Sequence, residues 1–573
     1  MRTKYPINIP WRRRTVVALF GLSFLVMIGQ AVNLQVLNRE FLKGQGDARY
    51  LRDVAVPAHR GMITDRDGEP LAVSTPVSSV WINPKDFQAN AQQLRALGKL
   101  LSLPVSRIQN LVKEREEREF VYVQRHVAPQ LAQQVMDLKI AGVALQREYR
   151  RYYPMGEVAA HLIGFTDIDD KGQEGLELAH EQWLHSQPGK ERVVRNRVGQ
   201  TVERVARLAP AQDGQQLTLS IDHKLQYQTY RELKAAVQRN GAKSGSAVVL
   251  DVRTGEVLAL VNQPSFNPNN RNEYRSASYR NRVVTDLFEP GSTVKPFIVA
   301  AAIASGNFRP DTAINTAPGL MRVGNATIRD HRDYGLIDVR TILQKSSNIG
   351  ASKIALSLEP KYLWNTMNDF GFGQVVGSGF PGESLGTLKP YRRWKEVERA
   401  TMAYGYGLST SALHLAQAYA ALLGDGKLRP ISYQKLTADQ IANIPTRQVV
   451  DKKTVMQMRD MLMGVVSDEG TASRAEVKGY KVAGKTGTVR KASVGGYLED
   501  NYTALFAGAI PASNPRMVMV ITINDPRGEK YYGGTVAAPV FSRVMSNAMR
   551  TMNIAPDDYP DTKTKVAMAG GPQ

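Results

Sequence analysis

Phe288-Glu289-Pro290-Gly291-Ser292-Thr293-Val294-Lys295-Pro296-Phe297 opens an apolar run that continues to Ala304. Proline is tolerated in a helix only in the first turn, so Pro296 predicts a helix start, with the helix over Pro296 to Ala304. Ser292 then sits where free backbone N–H groups and the positive end of the helix dipole favour a developing oxyanion. The i, i+3 spacing sets Lys295 beside it on one face. A lysine withdrawn from water there becomes a neutral amine able to take the Ser292 proton. Ser-x-x-Lys alone is a weak signal, because a second copy stands at Ser432 to Lys435 after Pro430.

The surrounding chain supplies a domain for that helix. Ser246 to Asp251, a turn at Thr254-Gly255 and Glu256 to Val261 read as an antiparallel hairpin. Ala504 to Ile510 and Met517 to Ile523 make a second strand pair, and helical patterns at Ala412 to Leu423 and Thr454 to Val465 lie between. Strands at both ends enclosing helices predict an α+β domain with a central antiparallel sheet completed late in the chain. Gln216 to Ser220, leading into an amphipathic helix over Leu225 to Gln238, marks its entry. Upstream, short strands are expected over Val54 to Thr75 around the turn Asp65-Arg66-Asp67-Gly68. Helices follow at Ala91 to Glu116 and Ala128 to Leu138, then a mixed, elongated α+β region to about Asp213. Leu37 to Ala48 reads as a helix, and the Pro-, Asp- and Gly-rich end beyond Asn553 as a loose tail. No internal repeat is found.

The chain has 573 residues, 43% of them hydrophobic, which allows two or three domains and excludes wholesale disorder. A formal charge of +21 calls for an acidic neighbour, whether nucleic acid, anionic lipid or a carboxylated polymer. The absence of cysteine excludes thiol nucleophiles, Cys-ligated metals and disulfides; no cofactor and no metal are expected. Residues Thr15 to Asn38 carry no charge and follow Arg12, Arg13 and Arg14. This is enough apolar helix to cross about 30 Å of hydrocarbon. The positive-inside rule places residues 1–14 in the cytoplasm and the body outside it, which removes nucleic acid as a partner. No small-residue cleavage site closes the run, so an uncleaved anchor over 15–37 is expected rather than a signal peptide.

Further chemistry lies at Ser346-Ser347-Asn348 and Lys485-Thr486-Gly487-Thr488. Ser-x-Asn also occurs at Ser305-Gly306-Asn307, whereas Lys-Thr-Gly occurs once. Lys485 and the hydroxyls of Thr486 and Thr488 offer a cation and donors to a substrate carboxylate, and Gly487 lets a ligand backbone run close to an edge strand. Asn348 can accept from Lys295 and donate to a substrate amide, and Ser346 can relay a proton to a leaving amine. The backbone N–H groups of Ser292 and Thr488 are the natural oxyanion donors.

In that order, Ser292-x-x-Lys295, Ser346-x-Asn348 and Lys485-Thr486-Gly487 form the three-part set of penicillin-recognising serine enzymes. The chain resembles the class B penicillin-binding proteins, and within them the division-type transpeptidases, from the anchor to about residue 553. Arg60-Gly61-Met62-Ile63-Thr64-Asp65-Arg66, Arg151-Tyr152-Tyr153-Pro154, His161 to Thr166 and Glu174-Gly175 are similar to motifs of the non-catalytic pedestal. Lys345-Ser346-Ser347-Asn348 matches the division type. Tyr404-Gly405-Tyr406-Gly407 and Tyr531-Tyr532-Gly533-Gly534 resemble segments lining the cleft, with Tyr406 and Tyr532 as ligand-contacting candidates. The resemblance implies a pedestal over 38–216, a transpeptidase domain over 217–552 and a tail over 553–573. It also implies an inner-membrane enzyme with its catalytic domain in the periplasm, which cross-links peptidoglycan stem peptides at the septum through a Ser292 acyl-enzyme. β-Lactam antibiotics acylate the same serine, and a SEDS-type glycan polymerase and other division proteins are implied partners. His331 stands where the family often has an apolar residue, and a titrating ring there is expected to tune acylation with pH.

Two other readings compete. A carboxypeptidase or β-lactamase shares the nucleophile but needs an activated deacylating water, and no Glu-x-x-Leu-Asn segment of the class A lactamase kind lies between Asn348 and Lys485. A non-catalytic division scaffold would keep the fold without needing these side chains.

Overall fold

The computed structural model describes residues 10–41, 51–195, 201–270, 276–493, 496–528 and 530–558. An α-helix over Pro10–Val32 continues through a π-helical turn, Asn33–Leu37. Its mean hydropathy reaches 2.1 and none of that stretch is buried, unlike a core helix. Among the described residues it is the one helix long and apolar enough to cross a membrane. The helix expected over Leu37 to Ala48 is described only as far as residue 41.

The chain divides into two compact units. The first comprises Met1–His59, Pro76–Arg150 and Ser186–Asp213. One of its sheets is antiparallel, with Gly189–Arg195 between Leu51–Val56 and Thr201–Ala209. Its core gathers Val80, Ile82, Leu97, Ile108 and Val135. The single helical stretch expected over Ala91 to Glu116 is two helices, Ala91–Leu101 and Val105–Glu114. Ser102 ends the first in the left-handed region (φ 51°), its N–H returned to Gly98 and Lys99, and Pro104 has no N–H with which to continue it.

The second unit comprises Arg60–Thr75, Arg151–His185 and Gly214–Gln573. Its five-stranded antiparallel sheet runs in the order Val257–Gln263, Ser244–Asp251, Met517–Asn524, Gly496–Ile510, Ala483–Ser493. The last strand in chain order, Met517–Asn524, pairs with the first, Ser244–Asp251, as the pattern of strands at both ends of the domain requires. Every residue of Ser244–Asp251 but the last is buried, as expected of a strand covered on both faces. Helix His223–Arg239 covers one face, where Gly245 leaves room for Leu233 and Val237. Helices Lys295–Ala304 and Ala412–Leu423 pack together through Phe297 and Tyr419, ring centres 5.3 Å apart, and Tyr419 donates to the Thr293 carbonyl at 2.8 Å.

Within this unit, segments 60–75 and 151–185 are tied to each other by a buried charge cluster. Glu177 receives Arg60 Nε and Arg151 Nε on its two oxygens, each at 2.6 Å, with all three side chains almost fully excluded from solvent. The same carboxylate therefore compensates two buried cations. Burial also raises the neighbouring Asp170 carboxyl to about 6. Of the tail expected to be loose from Asn553, residues up to Asp558 are instead pinned. Ile554 O accepts from Tyr480 OH at 2.6 Å, and Asp557 accepts from the N–H groups of Lys481 and Ser513. Replacing Glu177 with Gln strips two buried guanidinium groups of their counter-charge, and we expect a loss of about 3–5 kcal/mol in denaturant unfolding of the full chain. An unchanged unfolding midpoint would show that the cluster is not what holds these segments.

Candidate active site

The nucleophile segment is shaped by glycine. Gly291 has φ +56°, and a Cβ there would lie 2.4 Å from Val489 Cγ2; a Cβ on Gly405 (φ +92°) would lie 2.2 Å from Gly291 N. Only bare backbones fit where the loop at Gly405, the turn at Gly291 and the edge strand converge. Gly291–Val294 forms a 3-10 turn that runs into the α-helix Lys295–Ala304, with Pro296 in its first turn. Ser292 thus sits one turn ahead of the α-helix rather than on it, and Lys295 is the first α-helical residue.

Lys295 is fully buried. Its Nζ bonds to Ser346 O at 2.5 Å, Asn348 Oδ1 at 2.8 Å and Ser346 Oγ at 3.1 Å. Burial, and then the nearby Lys485 charge, hold its amine well below the ordinary lysine range, against a smaller opposing pull from Asp330. Lys485 is equally buried and donates to Ser346 Oγ at 3.0 Å and to Thr486 O at 3.3 Å. Burial lowers its amine to about 7. Two lysines therefore meet on one serine hydroxyl, each driven toward neutrality by the same dry surroundings.

Ser346 owes its position to a break between helices. Helix Val339–Lys345 ends on Ser346 in the left-handed region (φ 61°), and Ser347 caps the next helix, Asn348–Ser357, by accepting from Gly350 N. Asp330 clamps this junction: it accepts from Ser347 Oγ and Asn348 N, both at 2.5 Å, and from Ile349 N at 3.1 Å. Asn348 Nδ2 donates to Arg329 O at 3.0 Å, which aims Oδ1 at Lys295. Sequence reasoning passed over Asp330, since no spacing rule connects a carboxylate at a strand end to a helix start.

Ala483–Ser493 is an edge strand, as expected, with Lys485 opposite Ala507 and Thr488 opposite Ala504. Thr486 Oγ1 meets Thr471 Oγ1 at 3.0 Å, and Thr488 Oγ1 accepts from Gly533 N at 3.0 Å. Ser292, Ser346, Asn348, Thr486, Gly487 and Thr488 line one cavity of about 560 Å³. Tyr406 and Tyr532 belong to the same wall, as does His331, whose ring centre is 6.1 Å from that of Tyr532. Tyr502, stacked on Tyr531 at 4.2 Å, also lines it and had no motif to announce it.

The duplicate motifs lie elsewhere. Ser432 Oγ donates to Gln434 O, and Lys435 Nζ donates to Arg66 O. Ser305 and Asn307 form the turn after helix Lys295–Ala304, with Asn307 N donating to Ser305 Oγ. Neither pair shares a partner with the cleft residues. No group of three or more potential metal ligands is found among the described residues.

Comparison with known proteins agrees with this geometry. The penicillin binding protein transpeptidase domain matches residues 245–546, a stretch that holds all three motifs, and the penicillin-binding protein dimerisation domain matches residues 55–219. The peptidoglycan D,D-transpeptidase FtsI of Escherichia coli is 41% identical over 96% of this chain and 93% of its own length. The "Probable peptidoglycan D,D-transpeptidase PbpC" of Pseudomonas aeruginosa is 42% identical over 96% of both chains. The solved transpeptidase domain of penicillin-binding protein 3 from Burkholderia pseudomallei superimposes with a TM-score of 0.55 at 42% identity, covering 60% of this chain and 98% of that one. With two family domains in the expected order and relatives aligned over nearly the whole length, the chain belongs to the penicillin-binding proteins.

Proposed function

We propose that this protein is a septal peptidoglycan D,D-transpeptidase of cell division, acylated at Ser292 both by stem peptides and by β-lactams. The observation that carries the reading is the convergence of Lys295 and Lys485 on Ser346, with Asn348 accepting from Lys295, beside the cavity that Ser292 lines. In this reading Lys295, its amine held well below the ordinary lysine range, takes the proton as Ser292 Oγ attacks the carbonyl of the D-Ala–D-Ala bond. The oxyanion is met by the N–H groups of Ser292 and Thr488. Ser346, bonded to both lysines, hands the proton to the leaving nitrogen, the C–N bond breaks and D-Ala departs. An amine on a second stem then attacks the ester, forming the cross-link and returning the proton to Ser292. Lys485, Thr486 and Thr488 hold the terminal carboxylate, Gly487 gives the donor strand access to the edge, and Tyr406 and Tyr532 flank it.

The helix Pro10–Leu37 serves in this reading as a single-pass anchor in the cytoplasmic membrane, with residues 1–14 inside and the catalytic domain in the periplasm. A SEDS-type glycan polymerase and other division proteins are the proposed partners of the anchor and the 38–216 pedestal, and 217–552 is the proposed catalytic domain.

Labelling of the full chain with a fluorescent penicillin tests the nucleophile. We expect a stable adduct in the wild type and in Ser432→Ala, and none in Ser292→Ala. Absence of any adduct would favour the scaffold reading; a rapidly vanishing adduct with hydrolysed drug would favour a hydrolase.

The two lysines predict the pH dependence of the second-order acylation rate, which reports the free enzyme. Its amine held well below the ordinary range, Lys295 becomes an available base at lower pH than an exposed lysine would, so the rate first rises with pH. The ammonium of Lys485 is lost as pH rises through about 7, removing the charge that meets the ligand carboxylate, so the rate then falls. Lys485→Arg stays charged and should displace the falling limb upward while lowering the maximum. A limb that stays in place would exclude Lys485 as its source.

His331→Val removes the one imidazole lining the cleft among the described residues. It should alter the pH profile of acylation, and superimposable profiles would sink the proposed tuning.

A further inference from the structure

The charge that lines the cleft is of one sign. Lys345, Arg474 and Arg490 are cations, His331 becomes one on protonation, and among the described residues no Asp or Glu belongs to the wall. Two of the three permanent cations are committed or distant. Lys345 Nζ donates to Glu469 O at 2.8 Å and lies 3.7 Å from the Glu469 carboxylate. Arg490 stands opposite Tyr502, two residues past Thr488 and away from the Lys485 end of the edge strand. Arg474 is exposed, and its guanidinium has neither a hydrogen bond nor an ion pair among the described residues.

An exposed arginine on a loose loop would need no partner, but Arg474 rides on a pinned turn. Ala472 and Ala475 on either side of it are buried. Ala472 N donates to Val465 O at 2.9 Å and Ala475 N to Ala472 O at 2.8 Å, while Glu476 O accepts from Ser542 Oγ at 2.6 Å. Gly534 lets the turn come close, since a Cβ there would lie 2.2 Å from Thr471 O. Thr471 Oγ1 then meets Thr486 Oγ1 at 3.0 Å. The turn is thereby fixed against the residue assigned above to the terminal carboxylate, and a fixed backbone lowers the entropy lost when its arginine grips an anion.

The carboxylate end also has room for a second cation. Lys485 is buried, its amine is lowered to about 7, and its bonds go to Ser346 Oγ and Thr486 O. Much of its positive charge is therefore gone at neutral pH, whereas a guanidinium keeps its proton and offers a carboxylate a two-pronged donor.

We propose that Arg474 is a specificity-determining residue, whose guanidinium pairs with the terminal carboxylate of the ligand beside Thr486 and so selects acids over their uncharged esters or amides. The assignment rests on the transpeptidase reading, in which that carboxylate belongs to the donor stem peptide or to a β-lactam.

The test compares two ligands that differ in this charge. The full chain in detergent is acylated with benzylpenicillin and, separately, with benzylpenicillin methyl ester, and the second-order rates are followed by intact mass. We expect the wild type to prefer the acid, and Arg474→Gln to lower the acid-to-ester rate ratio at least tenfold without moving the thermal unfolding midpoint. Arg474→Lys, which keeps the charge and loses the fork, should restore part of the ratio. Added salt should slow acylation by the acid more in the wild type than in Arg474→Gln. An unchanged ratio, acid and ester rates that fall together, or equal sensitivity to salt would overturn the proposal. Failure of benzylpenicillin to acylate Ser292 in the wild type would overturn the transpeptidase reading instead.

Discussion

Two lysine side chains, both without solvent exposure, converge on the hydroxyl of Ser346, and the site is organised around making that tolerable. A buried ammonium is costly unless it is hydrogen-bonded or gives up its proton. Lys295 has three oxygen partners and Lys485 two, and each amine is pushed down by its surroundings. Had Lys295 reached water, it would hold its proton at neutral pH and be useless as a base. The helix of Lys295, the helix junction of Ser346 and the edge strand of Lys485 must therefore meet closely enough to exclude solvent. This closeness accounts for the bare glycines at Gly291, Gly405 and Gly487, whose missing side chains let backbones approach.

The carboxylate at Asp330 addresses a different part of the same problem. It spends three hydrogen bonds on the Ser347 to Ile349 turn and meets the N-terminus of helix Asn348–Ser357, where negative charge is favoured. The turn then holds Ser346 in a left-handed conformation that a non-glycine residue rarely adopts. The strain at Ser346 is thus supported from one side by Asp330 and from the other by Lys295 bonded to its carbonyl. A residue outside the three motifs fixes the geometry of the middle one.

Much of this was legible in the chain itself because the informative signals are local. The helix Ala412–Leu423 has the bounds that its apolar pattern suggested, and the strands near Ser246 and Met517 needed at most two residues added at an end. The three motifs could be paired across long separations because they carry residue types with a shared chemistry. What stayed hidden depends on tertiary contacts. The Glu177 cluster that ties segments 60–75 and 151–185 together joins Arg60 to a partner 117 positions away, with no periodicity to betray it. The pinned residues 554–558 read as a tail because hydrogen bonds from Tyr480, Lys481 and Ser513 leave no mark on their composition.

Glu289 shows how far a motif reading can fall short even at the motif itself. It lies three residues before the nucleophile, and spacing alone gave it no role. In the folded chain one of its oxygens ties the Tyr406-Gly407 loop and Tyr497 to the nucleophile segment, and its other oxygen is buried without a partner beside a polar cavity. The first of these bonds alone would explain an uncharged acceptor such as glutamine. A carboxylate costs more to bury than an amide does, and burial accordingly holds the Glu289 carboxyl above its ordinary range.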